Sequence, residues 1–443
     1  MPLGLNVPST PGPRLGYVLP GPILSSGGLV AMEARGFSGL TELARSWPGR
    51  VIVLAPAVND IPEPLPLAYA TADVDSLGFD IVKAQPVPAE IDSLGLDLTL
   101  GLLAPHWRGI TEARTPAVLT AEVDYGIRLA IHRATSSGIP LARAAVGLLR
   151  VEAGLRRQAR KARSLQCNGP AAFRAYGKQS ATPLAFMDHR IYAADVAAAR
   201  AVRAWDGEGP LRMAFSGRLD PIKGPEYALE VAHRARRAGL PVEMAFLGTG
   251  PMRETLQDRA EGWVQFRGFR DYRTEWLNDV RDTVDLMLLP HLQGDPSCTY
   301  FESLGSGAPV LGFANATLSP LVRRHGVGWA VPRGDIDGMV EILRSLIDDP
   351  EALLRARQAG LDLVAANDFE TTTQRRADHL LQHAGHGRIF QPGQFGLGHA
   401  LVKPGGRSQG DDADDGGQRR QALAQPLTLR ARLRDAEGRS QAG

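Results

Sequence analysis

Short, nearly continuous apolar runs alternating with longer helical patterns constrain this chain more than any other feature. Arg14–Leu19, Val51–Ala55, Asp97–Leu103 and Ala117–Thr120 each lie between turn signals with little polar interruption, the pattern of strands buried on both faces. Helical stretches such as Leu40–Trp47 separate some of them. Strands covered on both faces and linked by helices make a mostly parallel sheet. The second half repeats the theme in Leu211–Ser216, Val242–Leu247, Val264–Arg267, Val284–Leu289 and Ala308–Gly312. Between the first two of these runs a helix is marked at both ends. Pro225 suits its first turn and Gly239 the position just past its end. Ala228, Val231, Ala232 and Ala235 form its stripe toward the sheet.

At 443 residues the chain exceeds one ordinary core, since a domain takes roughly 150 residues. The patterns divide it into a Pro-rich start (1–13), a first Rossmann-like domain (14–195), a linker (196–210) and a second such domain (211–368). A helix at 369–384 is expected to cross back to the first domain. A low-complexity tail, 385–443, carries Asp411, Asp412, Asp414 and Asp415 beside a glycine pair. Its scant apolar content does not offset the entropy of ordering, so it reads as mostly disordered. The fold expectation is α/β, with two Rossmann-like domains facing across a cleft and joined near Ile191–Gly209.

A net charge of +2 and an aromatic content of 6% argue against a nucleic-acid binder. Cys167 and Cys298 lie too far apart for a metal-spaced set. They suit a reducing, cytoplasmic compartment, although two cysteines can also form one bridge. No run reaches the ~18–20 apolar residues that span a bilayer, and Met1–Pro13 lacks the basic start and apolar core of a secretory signal. The expectation is a soluble protein, at most attached to the inner membrane face.

Three segments carry chemistry. In Phe215-Ser216-Gly217-Arg218-Leu219-Asp220-Pro221-Ile222-Lys223-Gly224 a strand ends at Gly217, and Arg218 and Lys223 follow before a helix starts. Two cations at the carboxyl end of a strand and beside a helix start suit a diphosphate; the plain alternative is a solvated pair on a turn. Leu247-Gly248-Thr249-Gly250 repeats the strand–glycine–helix order, for close backbone approach to a ligand or for a tight turn. The third segment runs Asp295-Pro296-Ser297-Cys298-Thr299-Tyr300-Phe301-Glu302. A helix starting near Ser297 or Thr299 aims free N–H groups at an anion, and Glu302, one turn in, can accept hydrogen bonds from a ribose diol. The alternative for Glu302 is a capping-box glutamate.

In order and spacing, these three segments resemble the donor domain of glycosyltransferase family 4, retaining enzymes of the two-Rossmann GT-B fold. The resemblance covers about Met213 to Leu363. It implies that Arg218 and Lys223 hold a donor diphosphate, that Glu302 holds the ribose, and that Gly248, Thr249 and Gly250 lie beside base and ribose. The amides around Ser297–Tyr300 then meet sugar and phosphate. It further implies a catalytic set of Arg218, Lys223, Glu302, Asp295 and His106. Gly27-Gly28 is implied as a loop approaching the donor phosphate, and His106, after the strand Asp97–Leu103, as the histidine near the donor sugar. The family usually carries two glutamates separated by seven residues, whereas Gly294 stands at the first position; the adjacent Asp295, or the backbone of Asp295–Ser297, takes that role.

The implied partners are a nucleotide sugar as donor and a saccharide or lipid-linked hydroxyl acceptor, with no cofactor and no metal. Asp73-Val74-Asp75 has the spacing of a metal-binding carboxylate pair but lacks the supporting pattern. Residues 141–163 form a basic amphipathic stretch, which suits either an anionic membrane surface or plain solvent. Two other readings stay open: a GT-B-fold nucleotide-sugar epimerase, and a non-catalytic nucleotide-sugar-binding protein.

Overall fold

The computed structural model describes residues 12–66, 68–135, 138–294 and 296–384. Asp295, the first eleven residues and the tail from 385 lie outside the described residues, together with the reading made of that tail.

Two parallel sheets organise the chain. The first runs, edge to edge, Leu184–Phe186, Ser164–Asn168, Ala117–Ala121, Leu98–Leu102, Arg14–Val18, Arg50–Ala55 and Asp80–Lys83. The second runs Val264–Gly268, Val242–Leu247, Leu211–Ser216, Leu286–Leu289, Val310–Phe313 and Gly328–Val331. Within each sheet the first strand in sequence is central, and the chain builds outward to one edge before returning to build the other. This is the doubly wound order, whose reversal point opens a crevice at the carboxyl ends of the strands. Both faces of each sheet are packed. Phe215, Phe246 and Leu229 lie in a core on one side of the second sheet, and Met287, Tyr300 and Phe301 on the other.

Local chemistry sets the element ends. The helix Pro225–Arg237 starts on Pro225 and stops before Gly239, which sits at φ 78°. Its stripe residues Ala228, Val231, Ala232 and Ala235 are fully buried. The strand expected from Val284 starts at Leu286 instead. The Val284 N–H closes the preceding helix on the Val280 carbonyl, and the Asp285 carboxylate takes Arg212 through Nε at 2.8 Å and Nη2 at 2.6 Å.

One element was not legible as such. A four-stranded sheet, with both parallel and antiparallel pairs, is built from Val58–Asn59, Ile23–Ser26, Leu29–Glu33 and Tyr69–Asp73. Gly27 and Gly28, at φ 58° and 85°, form the two-residue turn between its antiparallel strands, with Ser26 paired to Leu29. Positive φ at both central residues is the tight hairpin geometry that matches strand twist, and glycine adopts it without strain. The pair therefore closes a hairpin and does not follow the first strand as a ligand-approach loop.

The last described helix, Phe369–Leu381, packs on the first sheet's helix Ala34–Ser46. Ala377, Leu380 and Ala384 are buried in that core beside Leu40 and Leu43. The chain thus begins and ends its described course on the same sheet, with the second sheet built in between.

Candidate active site

The carboxyl ends of the second sheet's strands line a cavity of about 370 Å³. Ser216-Gly217-Arg218, Leu247-Gly248-Thr249, Phe269–Tyr272 with Trp276, and Thr299 with Glu302 end or follow four different strands. Glu33, Ala34, Arg35 and Ala68 of the first half complete the wall. The glycines are required for the loops to nest. A Cβ at Gly248, which sits at φ 141°, would run into the Gly217 carbonyl, and one at Gly250 into the backbone of Leu219. Gly217 N–H donates to Leu247 O at 3.0 Å, Leu219 N–H to Thr249 O at 2.9 Å, and Gly248 N–H to Gly268 O at 2.7 Å. Three strand-end loops are thereby fixed to one another by backbone.

Arg218 lies on this wall with an exposed side chain that pairs with Asp220. Asp220 is buried and accepts from the Ile222 and Lys223 amides, so one carboxylate both caps the short turn and holds the guanidinium. Lys223 is not among the residues lining the cavity. Burial first and the Lys223 positive charge second hold the His291 imidazole well below its ordinary pKa.

The helix Cys298–Gly305 begins after Ser297 and has no side-chain cap. Glu302 sits five residues into it, so it is not a capping-box glutamate, whose place would be Tyr300. The Tyr300 N–H bonds to Ser297 O at 3.2 Å, and its ring is buried with the hydroxyl on Asn315 Nδ2 at 3.0 Å. Tyr300 therefore faces the core, not a ligand, which leaves Cys298 and Thr299 at the open end of the helix. Burial, with Glu302 adding, pushes the Cys298 thiol up to about 12, so it stays neutral; Cys167 and Cys298 are both free. Pro296 packs against Gly169 of the first half, where an added Cβ would come within 2.9 Å of the Pro296 Cβ.

Glu302 is 2% exposed and meets Arg35 at 2.6 Å between Oε2 and Nη2. Burial opposes the Arg35 charge, but Glu302 more than offsets it and raises the guanidinium pKa further. Arg35 is braced from behind. Arg190 donates to the Arg35 carbonyl through Nη2 at 2.8 Å and Nε at 3.2 Å, and to Asp188 through Nη1 at 2.7 Å. Burial works against the Asp188 charge, yet Arg190 holds its carboxyl below the usual carboxylate range. His189 next door stacks on Phe301 at 5.2 Å and bonds through Nε2 to Asn367 O at 2.8 Å. The junction between the halves is thus a polar network centred on the Arg35–Glu302 pair.

His106 is not brought here. It stands exposed after Leu98–Leu102, edge-on to Trp107 at 5.4 Å, and does not line the cavity. Gly27 and Gly28 are likewise absent from its lining. Sequence reasoning missed Arg35, Arg270, Phe269, Tyr272 and Trp276. The signal was present: Val264–Arg267 was read as a strand, and the loop after it carries Phe269 and Arg270. Arg270 is held by Glu275 and Asp279, each at 3.0 Å, and Trp276 Nε1 donates to Ser216 Oγ at 2.8 Å. Among the described residues, no group of three His, Cys, Asp or Glu is placed to hold a metal ion.

Two doubly wound domains joined by a linker and a returning helix, with an anion-suited cavity at the carboxyl ends of one sheet, define the GT-B architecture. The fold is similar to that of sucrose-phosphate synthase from Thermosynechococcus elongatus, with TM-score 0.58, 16% identity, and 84% of this chain and 98% of that one covered. It is also similar to HepE of Anabaena in complex with UDP, with TM-score 0.55, 14% identity, and coverage of 84% and 99%. Residues 210–349 match the family described as Glycosyl transferases group 1. A glycogen synthase of Mycobacterium tuberculosis (strain ATCC 25618 / H37Rv) is 27% identical over 199 residues, 44% of this chain and 48% of that protein. The matched region thus spans about half the relative's length. Residues 210–349, about a third of the chain, are similar to the group 1 glycosyltransferases.

Proposed function

We propose that the protein transfers a sugar from a nucleoside-diphosphate sugar to a hydroxyl acceptor, with retention at the anomeric carbon. The observation that carries this reading is the single cavity bringing Arg218, the Gly248-Thr249 loop and Glu302 around one space at the strand ends. Arg218 and the open amides of the helix Cys298–Gly305 face the departing diphosphate, whose charge grows as the bond to the anomeric carbon breaks. The acceptor oxygen forms its bond on the same face, and its proton passes to the departing phosphate oxygen. No step is routed through a metal or a cofactor. UDP bound to a protein of similar fold supports a nucleotide in this place.

The acceptor belongs at the carboxyl ends of the first sheet, where Glu122, Asn168 and Asp188 follow or end three strands. Burial and the nearby Asp188 raise the Glu122 carboxyl pKa, and Asn168 Nδ2 donates to it at 3.5 Å. A saccharide or a lipid-linked sugar supplies the hydroxyl. The lipid version is supported by the helix Gly138–Lys161, which exposes Ile139, Val146 and Leu149 beside Arg143, Arg150 and Arg157. Apolar side chains among arginines that can extend to headgroups suit the inner, anionic membrane face of a cytoplasmic enzyme.

The test is thermal stability of wild type and Arg218→Ala against UDP, ADP, GDP and their glucose esters, followed by transfer assays with and without EDTA. A ligand that binds the folded state raises the midpoint by mass action. A shift with one base, lost in Arg218→Ala, with sugar transfer unaffected by EDTA, is expected. Binding without transfer or donor hydrolysis would favour a nucleotide-sugar-binding protein instead.

A further inference from the structure

The cavity has one wall that the second half does not supply. Arg35 opens the helix Ala34–Ser46 of the first half and lines the same space as Arg218, Thr249 and Glu302. Its Nη2 is engaged with Glu302 Oε2, and its guanidinium lies over the Tyr272 ring, 5.2 Å from the centroid. The second nitrogen, Nη1, is buried with no hydrogen-bond partner, and so is the second carboxylate oxygen, Glu302 Oε1.

A buried donor and a buried acceptor on one ion pair, both unpartnered, form an unusual combination, because such groups are nearly always satisfied. A hydroxyl answers both at once: its O–H donates to the carboxylate oxygen and its lone pair accepts from the guanidinium. A phosphate answers only the arginine, since it offers the carboxylate no donor. A diol, with two hydroxyls on adjacent carbons, spans the pair best. The Arg190 brace on the Arg35 carbonyl keeps that end of the pair on a fixed turn.

We propose that Arg35 is a nucleotide-positioning residue that, together with Glu302, binds the ribose diol, so that the ribose site is assembled from both halves of the protein. This rests on the reading of the cavity as a nucleotide site. Ribose binding then reports that the halves are together, and a nucleotide lacking its hydroxyls loses that information. Arg218 holds charge wherever the diphosphate lies, whereas Arg35 reads the sugar of the nucleotide.

The experiment is calorimetric titration of wild type, Arg35→Ala and Arg35→Lys with UDP, ADP and GDP and with their 2′,3′-dideoxy counterparts. Wild type is expected to prefer the ribonucleotide by at least about fivefold, the worth of one net hydrogen bond. Arg35→Ala should weaken the ribonucleotide while leaving the dideoxy form within about twofold, so that the preference collapses. Arg35→Lys keeps a charge opposite Glu302 but lacks the planar fork, and should also lose most of the preference. Equal weakening of both nucleotides, or an unchanged preference in both variants, overturns the assignment, because either makes Arg35 a general charge or a structural residue. Tighter ribonucleotide binding in Arg35→Ala overturns it too, by making Arg35 a lid that the ribose displaces. If wild type binds none of the six nucleotides, the nucleotide reading falls and this inference falls with it.

Discussion

Glu302 and Arg35 meet at 2.6 Å although 267 positions of sequence separate them, and each comes from a different half of the molecule. The pair ties the helix that follows the fourth strand of the second sheet to the first turn of the first sheet's helix Ala34–Ser46. Removing the carboxylate charge leaves a buried guanidinium facing a neutral amide. Glu302→Gln is expected to lower unfolding stability by about 1–3 kcal/mol, a figure discounted because the Arg35 side chain is partly exposed. Nucleotide affinity should fall at the same time. Urea unfolding and calorimetric titration of the same samples check both, and unchanged affinity would remove Glu302 from the ribose site.

Gly294 stands where the family usually carries its first glutamate, and the geometry gives a reason for the glycine. A Cβ there would lie 2.9 Å from the Ala316 amide nitrogen and 3.0 Å from its Cβ, and Thr317 Oγ1 donates to the Gly294 carbonyl at 2.9 Å. The two loops are packed backbone to backbone. Gly294→Ala is therefore expected to cost about 1–3 kcal/mol through overpacking, and Gly294→Glu at least as much, with no gain in transfer rate. Thermal melting beside a transfer assay decides; a stable, faster Gly294→Glu would mean that the loop is free to move.

What could be read from the sequence follows a physical line. Arg218, Gly248, Thr249 and Glu302 were legible because each sits at a strand end or one turn into the next helix, and local order is enough to place it. Arg35 was not, since nothing local in Glu33-Ala34-Arg35-Gly36 marks a residue that acts across a domain junction. Tyr300 was expected to offer its amide, but that N–H is taken by the Ser297 carbonyl at 3.2 Å, a turn bond that sequence alone does not reveal, and its ring packs in the core. Gly27-Gly28 was misassigned because a glycine pair suits a phosphate loop and a hairpin turn equally. What separates the two is the flanking pattern: Ile23–Ser26 and Leu29–Glu33 are short runs of strand length on either side of a two-residue gap.

Buried histidines give the fold an acid-sensitive side. His379 of the helix Phe369–Leu381 accepts at Nδ1 from Gln166 Nε2 at 3.4 Å and donates from Nε2 to Thr182 O at 2.8 Å, a neutral tautomer. Burial lowers its pKa to about 4 from 6.5, and the nearby His383 and Arg376 add to the lowering. The unfolded chain takes up this proton near pH 6.5 and the folded chain only near pH 4. Stability is therefore full above about pH 6.5 and falls as the pH drops toward 4, by about 1.4 kcal/mol per unit at most. His189 and His291, also lowered mainly by burial, contribute with the same sign. Urea midpoints at pH 7, 6 and 5 should decline, and His379→Gln should flatten the decline while lowering the midpoint at pH 7. An equally steep decline in the variant would put the sensitivity elsewhere.

The helix Gly138–Lys161 changes character along its length. Its second half is anchored: Leu155 and Ala159 are buried, and Glu152 accepts from Arg156 Nε at 2.9 Å and from the Tyr176 hydroxyl at 2.7 Å. Its first half leaves Ile139 69%, Val146 55% and Leu149 56% exposed. Ile139 and Val146 are seven residues apart, so they share a face with Arg143 and Arg150. Replacing Ile139, Val146 and Leu149 together by serine removes no buried contact and should leave the melting midpoint nearly unchanged. The triple variant is expected to lose co-flotation with vesicles of mixed phosphatidylglycerol and phosphatidylcholine, whereas wild type floats with those vesicles and not with phosphatidylcholine alone. Wild type that stays in the soluble fraction with both vesicle types would reject the membrane contact, and with it the support for a lipid-linked acceptor. Flotation that survives in the triple variant would instead assign the contact to the arginines, which a higher salt concentration should then release.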